Sequence, residues 1–103
     1  MSAAAAVLTT VASLLVNHHV TVHCKLPIGS QWPLYVEGMA YDYSNEFYLS
    51  YCPLTRRQRS DSMLVFAHEL IHIEHPRWPH WKVYKWDDWY ARIVVGPAVQ
   101  RSC

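Results

Sequence analysis

The chain opens with an apolar stretch whose periodicity predicts a helix. Leu8, Val11 and Leu15 recur at spacings of three and four residues, which places them on one face of an α-helix. The stretch has no basic segment at its start, and it is too short and too rich in Ala and Thr for a membrane span. We therefore expect a helix up to Asn17 that packs against a small sheet, rather than a signal peptide.

After Asn17 the pattern changes to the alternation that is typical of strands. The segment "HVTVHCKL" carries β-branched residues at every second position and predicts one strand. Farther on, "PLYVEGMAYDY" and "EFYLSY" flank the turn-forming pair Ser44-Asn45 and predict a hairpin. Three of the seven histidines fall in this region: His18, His19 and His23. A histidine in an alternating strand usually lies on the polar face, so we expect no metal site among these three.

The second half of the chain has a helical pattern. The segment "TRRQRSDSMLVFAHELIHIEH" has candidate cap residues between Thr55 and Asp61, and its run of helix formers continues to His75 and ends at Pro76. The last segment, "YKWDDWYARIVVGP", predicts a second helix that stops at Gly96-Pro97. No repeat or low-complexity linker divides the chain, so we expect a single α+β domain over residues 1–103.

Charge and cysteine content exclude several classes of protein. The formal net charge is +1 and the basic residues are scattered apart from "RRQR" at Arg56–Arg59, so neither nucleic acid nor a membrane surface is predicted as a partner. The cysteines are odd in number, widely spaced and form no C-x-x-C motif: Cys24, Cys52 and Cys103. This pattern predicts neither a disulfide scaffold nor a thiolate zinc site, and it fits a reducing cytoplasm.

The predicted helix that ends at His75 carries histidines on its apolar side. His68 and His72 are four residues apart and project from successive turns of one face, so both imidazoles can reach one cation. Glu69 is placed to hold a water on the same metal and to take its proton when that water attacks a carbonyl. This is the H-E-x-x-H pattern of the zincins. The alternative is a pair of core histidines that bond to backbone carbonyls.

A catalytic zinc normally has three protein ligands, so a third must come from another part of the chain. The strict metzincin spacing fails because His75 occupies the position of its glycine, and His80 follows two prolines and would have to fold back. The other candidates are Asp87 and Asp88 on the following helix. Helical geometry favours Asp87, which falls on the buried side, whereas Asp88 lies near the edge and suits an exposed first turn.

The two helical segments together resemble a known family. The sequence "YLSYCPLTRRQRSDSMLVFAHELIHIEH" followed by "WDDWYARIVVGP" resembles the ImmA/IrrE family of small zinc metallopeptidases between Tyr48 and Pro97. The segment "VFAHELIH" fills the specific motif of that family, and "YARIVVGP" fills its looser downstream motif. The resemblance implies a minimal zincin-like fold: an N-terminal helix, a small twisted and mostly antiparallel sheet, the active-site helix and a C-terminal helix that carries the third ligand.

The same resemblance implies a function. It makes His68 and His72 ligands of Zn²⁺ and Glu69 the general base, and it leaves the third ligand open between Asp87 and Asp88. Members of the family cleave or disable a helix-turn-helix repressor. The implied function is a zinc-dependent metalloendopeptidase whose protein substrate is a separate phage or mobile-element repressor, in the cytoplasm of a bacterium or phage-infected cell.

Two alternatives belong to other classes of protein. One is a non-catalytic module that keeps the zincin scaffold and sequesters a repressor or another regulatory protein. Three tryptophans near the motif could form its docking surface: Trp78, Trp81 and Trp89. The other is a structural protein whose metal site is closed by a fourth ligand, such as His75 or His80.

Overall fold

The computed structural model describes residues 2–25, 38–40, 45–50, 52 and 61–102. The residues Arg56–Arg59, the candidate cap Thr55 and the third cysteine, Cys103, lie outside this part. The described elements combine helices with a small sheet, so the α+β class is confirmed. Its helices are α1 (Ala3–Val16), α2 (Asp61–Glu74), α3 (His80–Tyr90) and α4 (Gly96–Ser102), and its strands are β1 (Thr21–His23), β2 (Gly38–Ala40) and β3 (Glu46–Leu49).

Helix α1 begins and ends where the sequence pattern predicted it would. The Ser2 hydroxyl accepts a hydrogen bond from the backbone N–H of Ala5 at 3.1 Å and caps the first turn. The helix ends at Asn17, whose φ of 61° lies in the left-handed region that asparagine tolerates. Leu8 and Val11 are buried on the inner face of the helix. The predicted N-terminal helix is therefore confirmed.

The described strands form a mixed sheet in the order β1-β3-β2. Strands β2 and β3 pair antiparallel, which confirms the predicted hairpin partners within residues 38–40 and 46–49. Strands β1 and β3 pair parallel, with Val22 opposite Phe47. One of the two described pairings is thus parallel, so the predicted mostly antiparallel sheet is not confirmed. Side chains of α1 support β1, because Thr9 Oγ1 and Ser13 Oγ accept hydrogen bonds from its backbone and from Val20 just before it.

A disulfide joins Cys24 to Cys52, with 5.4 Å between the Cα atoms. Cys24 follows β1 and Cys52 lies just beyond β3, and two parallel neighbours carry the chain to the same end of the sheet. The cysteine spacing predicted no disulfide, and that prediction is wrong because the pairing depends on the parallel strands and not on a local motif. The reducing cytoplasm that the cysteine spacing indicated is therefore not confirmed.

The hydrophobic core unites the sheet with α1, α2 and the C-terminal helices. Phe47 of β3 and Phe66 of α2 are fully buried, and their ring centroids lie 5.6 Å apart. Because the sheet and α1 cover one side of α2, the next face of this helix is left to pack against α3. Within the described ranges, no helix has the length and apolar character needed to cross a bilayer.

The C-terminal helix continues past Gly96-Pro97, so the predicted stop there is wrong. A π-helical segment, Ala91–Val95, joins α3 to α4, and the Gly96 N–H donates to the carbonyl of Ala91 five residues earlier. The wider turn accommodates Pro97, which lacks an N–H and whose ring would clash with a carbonyl in a regular α-helix. A Cβ at Gly96 would lie only 3.0 Å from the Ala91 oxygen, so this position suits glycine.

Candidate metal centre

Helix α2 places the two motif histidines side by side. The Nε2 atoms of His68 and His72 lie 3.1 Å apart, and their ring centroids are separated by 4.7 Å. Two nitrogen ligands on one tetrahedral zinc ion, each at about 2.0–2.1 Å, would lie about 3.3 Å from one another. The spacing in the structure is therefore close to the one that a shared ion requires.

A third histidine reaches the same place from α3. His80 is the first residue of α3, and the preceding Pro79 has an extended conformation that turns the chain into the helix. Its ring centroid lies 5.4 Å from that of His68 and 4.7 Å from that of His72. One ring nitrogen from each of the three histidines falls within 4.8 Å of the other two. His68, His72 and His80, called the three-histidine group below, could therefore bind a metal ion.

Asp87 lies behind the first histidine and is almost completely buried, with 4% of its surface exposed. Its Oδ2 atom is 3.1 Å from Nδ1 of His68. An ionised carboxylate only accepts hydrogen bonds, so Nδ1 of His68 donates and its Nε2 keeps a lone pair that faces His72. A carboxylate that orients a histidine in this way is a common outer partner of metal-ligating histidines.

The two predicted aspartates have different surroundings. Asp88 is exposed and its Oδ2 atom lies 3.0 Å from the guanidinium of Arg92, one helical turn away. Asp87 contacts His68, but at the ring nitrogen opposite the one that faces His72. Among the described residues, neither aspartate belongs to the three-histidine group. The structure thus brings Asp87 to the site as a neighbour of His68 and leaves Asp88 on the surface.

Glu69 lies on the side of α2 that faces β2, and only 7% of its surface is exposed. A Cβ at Gly38 of β2 would lie 3.3 Å from Cγ of Glu69 and 2.7 Å from Cγ1 of Val65. Any larger residue at position 38 would push the strand away from the helix. Gly38 therefore permits the close approach of β2 that helps to bury Glu69.

Two further side chains border the group. His75 stacks on Trp78, with centroids 3.8 Å apart and planes 7° from parallel, and does not belong to the three-histidine group. Tyr84 lies 4.8 Å from His68 between ring centroids and is 65% exposed. Tyr84 was not among the site residues predicted from the sequence, although its position four residues after His80 puts both side chains on the same face of α3.

Comparison of the chain with protein-family models, curated proteins and solved structures gives no match. The kind of site is therefore inferred from the residues that form it and from their geometry. Three imidazoles converge, a buried carboxylate orients the first of them, and a second buried carboxylate is adjacent in sequence. This combination defines a candidate metal centre.

Proposed function

We propose that the protein is a zinc-dependent metallopeptidase in which His68, His72 and His80 hold the metal and Glu69 is the general base. The observation that carries the proposal is the convergence of three imidazoles beside a glutamate on the same helix. Three protein ligands with one open position is the usual arrangement of a catalytic zinc, whereas structural zinc sites have four. Within the described residues, no fourth His, Cys, Asp or Glu joins the group.

The donor set fits zinc. Neutral imidazole nitrogens are good ligands for Zn²⁺, although they also suit other late transition metals. Asp87 strengthens His68 as a ligand, because a carboxylate that accepts from Nδ1 makes Nε2 more basic. His80 is exposed while His68 is buried, so the group opens to solvent on the α3 side, where a polypeptide could enter.

The side chains of the site have distinct roles in the proposed hydrolysis. A bound zinc ion would polarise the scissile carbonyl and lower the pKa of a water molecule. Glu69 accepts the proton of the attacking water and returns it to the leaving amine. Tyr84, whose ring lies near both His68 and His80, donates a hydrogen bond to the oxygen on which negative charge develops.

The substrate class is part of the same proposal. The resemblance to the ImmA/IrrE family favours a folded protein substrate such as a helix-turn-helix repressor. Trp81, which follows His80 directly in the sequence, is 68% exposed and could contact such a protein. The same exposed surface favours the second candidate, a zincin-scaffold module that binds a regulatory protein without cleaving it.

The test combines metal content with cleavage. Purified protein should contain one zinc per chain and should degrade casein or a candidate repressor, and the cleavage, but not the zinc content, should depend on Glu69. Glu69→Gln should keep the zinc and lose roughly 10²- to 10⁴-fold in rate, because general-base catalysis contributes about that much. Glu46→Gln, at an exposed glutamate of β3, is the matched control and should be as active as the wild type.

Two outcomes would count against the peptidase. Protein that holds no stoichiometric zinc, or Glu69→Gln that cleaves as fast as the wild type, would contradict it. A stable complex with a repressor and no fragments after long incubation would favour the binding module.

A further inference from the structure

A cavity of about 410 Å³ is lined by residues of α1, α2, α3 and the segments that follow α2 and α3. Besides three aliphatic side chains and His75, its lining comprises one carboxylate and four large aromatic residues: Glu74, Trp78, Trp86, Trp89 and Tyr90. None of these side chains belongs to the three-histidine group. The volume is in the range of cavities that hold small molecules or single side chains of a partner.

Two tryptophans form open walls of this cavity. The ring planes of Trp86 and Trp89 meet at 83°, with centroids 6.4 Å apart. Trp86 is 44% exposed and Trp89 is 49% exposed, so much of each ring faces solvent. Two aromatic rings at right angles can both contact one bound group. Each ring contributes either its negative π-face or its edge to that contact.

The cavity also carries negative charge. Glu74 lines it, and among the described residues no cation forms an ion pair with this carboxylate. Glu74 and Tyr90 line the same cavity, and burial, and then the charge of Glu74, raise the pKa of Tyr90 above its usual value. An anion beside aromatic rings favours a cationic ligand over a neutral one.

The chain already holds one ammonium group on a tryptophan of this cavity. The Nζ atom of Lys82 lies 4.5 Å from the centroid of the Trp78 ring. His75 stacks on the same ring, so Trp78 is engaged by the chain itself. The rings that remain for a ligand are those of Trp86 and Trp89, together with the half-buried Tyr90.

We propose that this cavity binds an alkylated ammonium group, with Trp86 and Trp89 against its methyl groups and Glu74 as its counter-charge. A methylated ammonium suits these walls because its charge is spread over apolar methyls, which contact aromatic faces and are weakly hydrated. A primary ammonium needs several acceptors in place of its water, and Glu74 is the single carboxylate of the lining. The site is independent of the three-histidine group.

Choline is the probe, and 3,3-dimethyl-1-butanol, in which carbon replaces the quaternary nitrogen, is its neutral control. We expect saturable shifts of the Trp86 and Trp89 indole N–H signals with choline. The neutral alcohol should bind between about 2- and 30-fold more weakly, the range that cation–π attraction supplies. Chelation of metal with EDTA should not change choline binding.

Variants assign the binding to this cavity. Glu74→Gln should weaken choline binding and leave the neutral alcohol unchanged, and Trp86→Leu should weaken both. Trp86→Phe should restore part of the affinity, because it keeps an aromatic face. Trp81→Leu removes an exposed tryptophan outside the cavity lining and should bind choline as the wild type does.

A second binding experiment uses a short peptide that contains trimethyllysine. Comparison of its affinity with that of choline shows whether the ammonium belongs to a protein side chain or to a free small molecule. Preference for either one supports the cavity as an ammonium site. Equal affinity for choline and its neutral isostere, absence of saturable shifts, or full binding by a folded Trp86→Leu variant would overturn the proposal. Circular dichroism checks that each variant is folded.

Discussion

The structure contains two groups of histidines whose surroundings differ. Near β1, each histidine has a separate neighbour: His19 Nε2 lies 3.1 Å from the hydroxyl of Thr21, and His23 Nε2 lies 3.4 Å from a carboxylate oxygen of Glu46. The His23 ring also stacks on Tyr48, with centroids 4.6 Å apart. In the three-histidine group, by contrast, one ring nitrogen of each histidine lies within 4.8 Å of those of the other two.

The difference follows from where each histidine lies in the secondary structure. Only His23 belongs to β1, whereas His18 and His19 lie in the connection after α1, so no regular spacing places these three side chains on one face. In a helix, residues four apart lie one above the other, so His68 and His72 converge. A short connection then brings His80 onto the same spot. The number of histidines in a segment therefore indicates a metal site less well than their spacing on one helix.

The largest effect should come from removing the third imidazole. His80→Ala leaves two nitrogen ligands, and zinc affinity should fall by more than the roughly 10- to 100-fold that is typical for loss of an outer partner. His23→Ala, in the group near β1, is the control and should bind zinc normally. Isothermal titration with zinc checks both. Equal loss of zinc affinity in the two variants would contradict the assignment of the metal to the three-histidine group.

The next effect concerns the sheet that carries His23. Reduction of the Cys24–Cys52 disulfide, with a sequence separation of 28, should lower the free energy of unfolding by about 3–4 kcal/mol, from the chain entropy of the opened loop. Denaturant unfolding of the wild type and of a Cys24→Ser/Cys52→Ser variant measures this. Zinc affinity of the folded variant should be unchanged. Identical unfolding curves for the two proteins would contradict the structural role of the disulfide.

A smaller effect should come from the carboxylate behind His68. Asp87→Asn keeps the shape but loses the charge that orients the ring, and zinc affinity should fall about 10- to 100-fold, or about 1.4–2.7 kcal/mol. Asp88→Asn is the matched control, because Asp88 is exposed and forms its ion pair with Arg92 on the surface. If Asp88→Asn lost as much affinity as Asp87→Asn, the assignment of Asp87 as the orienting carboxylate would fail.

The smallest effect lies outside both histidine groups. Burial and then the Glu74 carboxylate raise the pKa of Tyr90 above 10.0, so the folded state holds the phenolic proton more tightly than the unfolded state. This contribution to stability is present below pH 10 and is lost as the pH rises through the folded-state pKa. Unfolding measured from pH 9 to 11 should show a shallower decline for Tyr90→Phe than for the wild type. Equal slopes of the unfolding free energy against pH in the two proteins would contradict this contribution of Tyr90.

Local periodicity predicted much of this fold. The spacing of Leu8 and Val11 predicted α1, and the alternation in "EFYLSY" predicted a strand at the position of β3. The run of helix formers around His68 predicted α2, which also put His68 and His72 on one face. These features depend on residues a few positions apart, and sequence patterns report such contacts directly.

The features that the sequence did not predict depend on the connections between elements. The Cys24–Cys52 disulfide requires the parallel pairing of β1 with β3, which no short pattern indicates. His80 follows two prolines, and its position depends on how the connection folds between α2 and α3. Asp87 was predicted as a candidate third ligand on the buried side of its helix, whereas its contact with Nδ1 of His68 depends on how the two helices pack.

The most direct test of the metal centre is a crystal structure of the zinc-loaded protein with anomalous diffraction at the zinc edge. The proposed function predicts one ion at about 2.0–2.1 Å from a ring nitrogen of each of His68, His72 and His80. Asp87 should remain hydrogen-bonded to Nδ1 of His68. A zinc ion bound to the Asp87 or Asp88 carboxylate in place of His80, or no anomalous peak at the three-histidine group, would contradict the proposed metal centre.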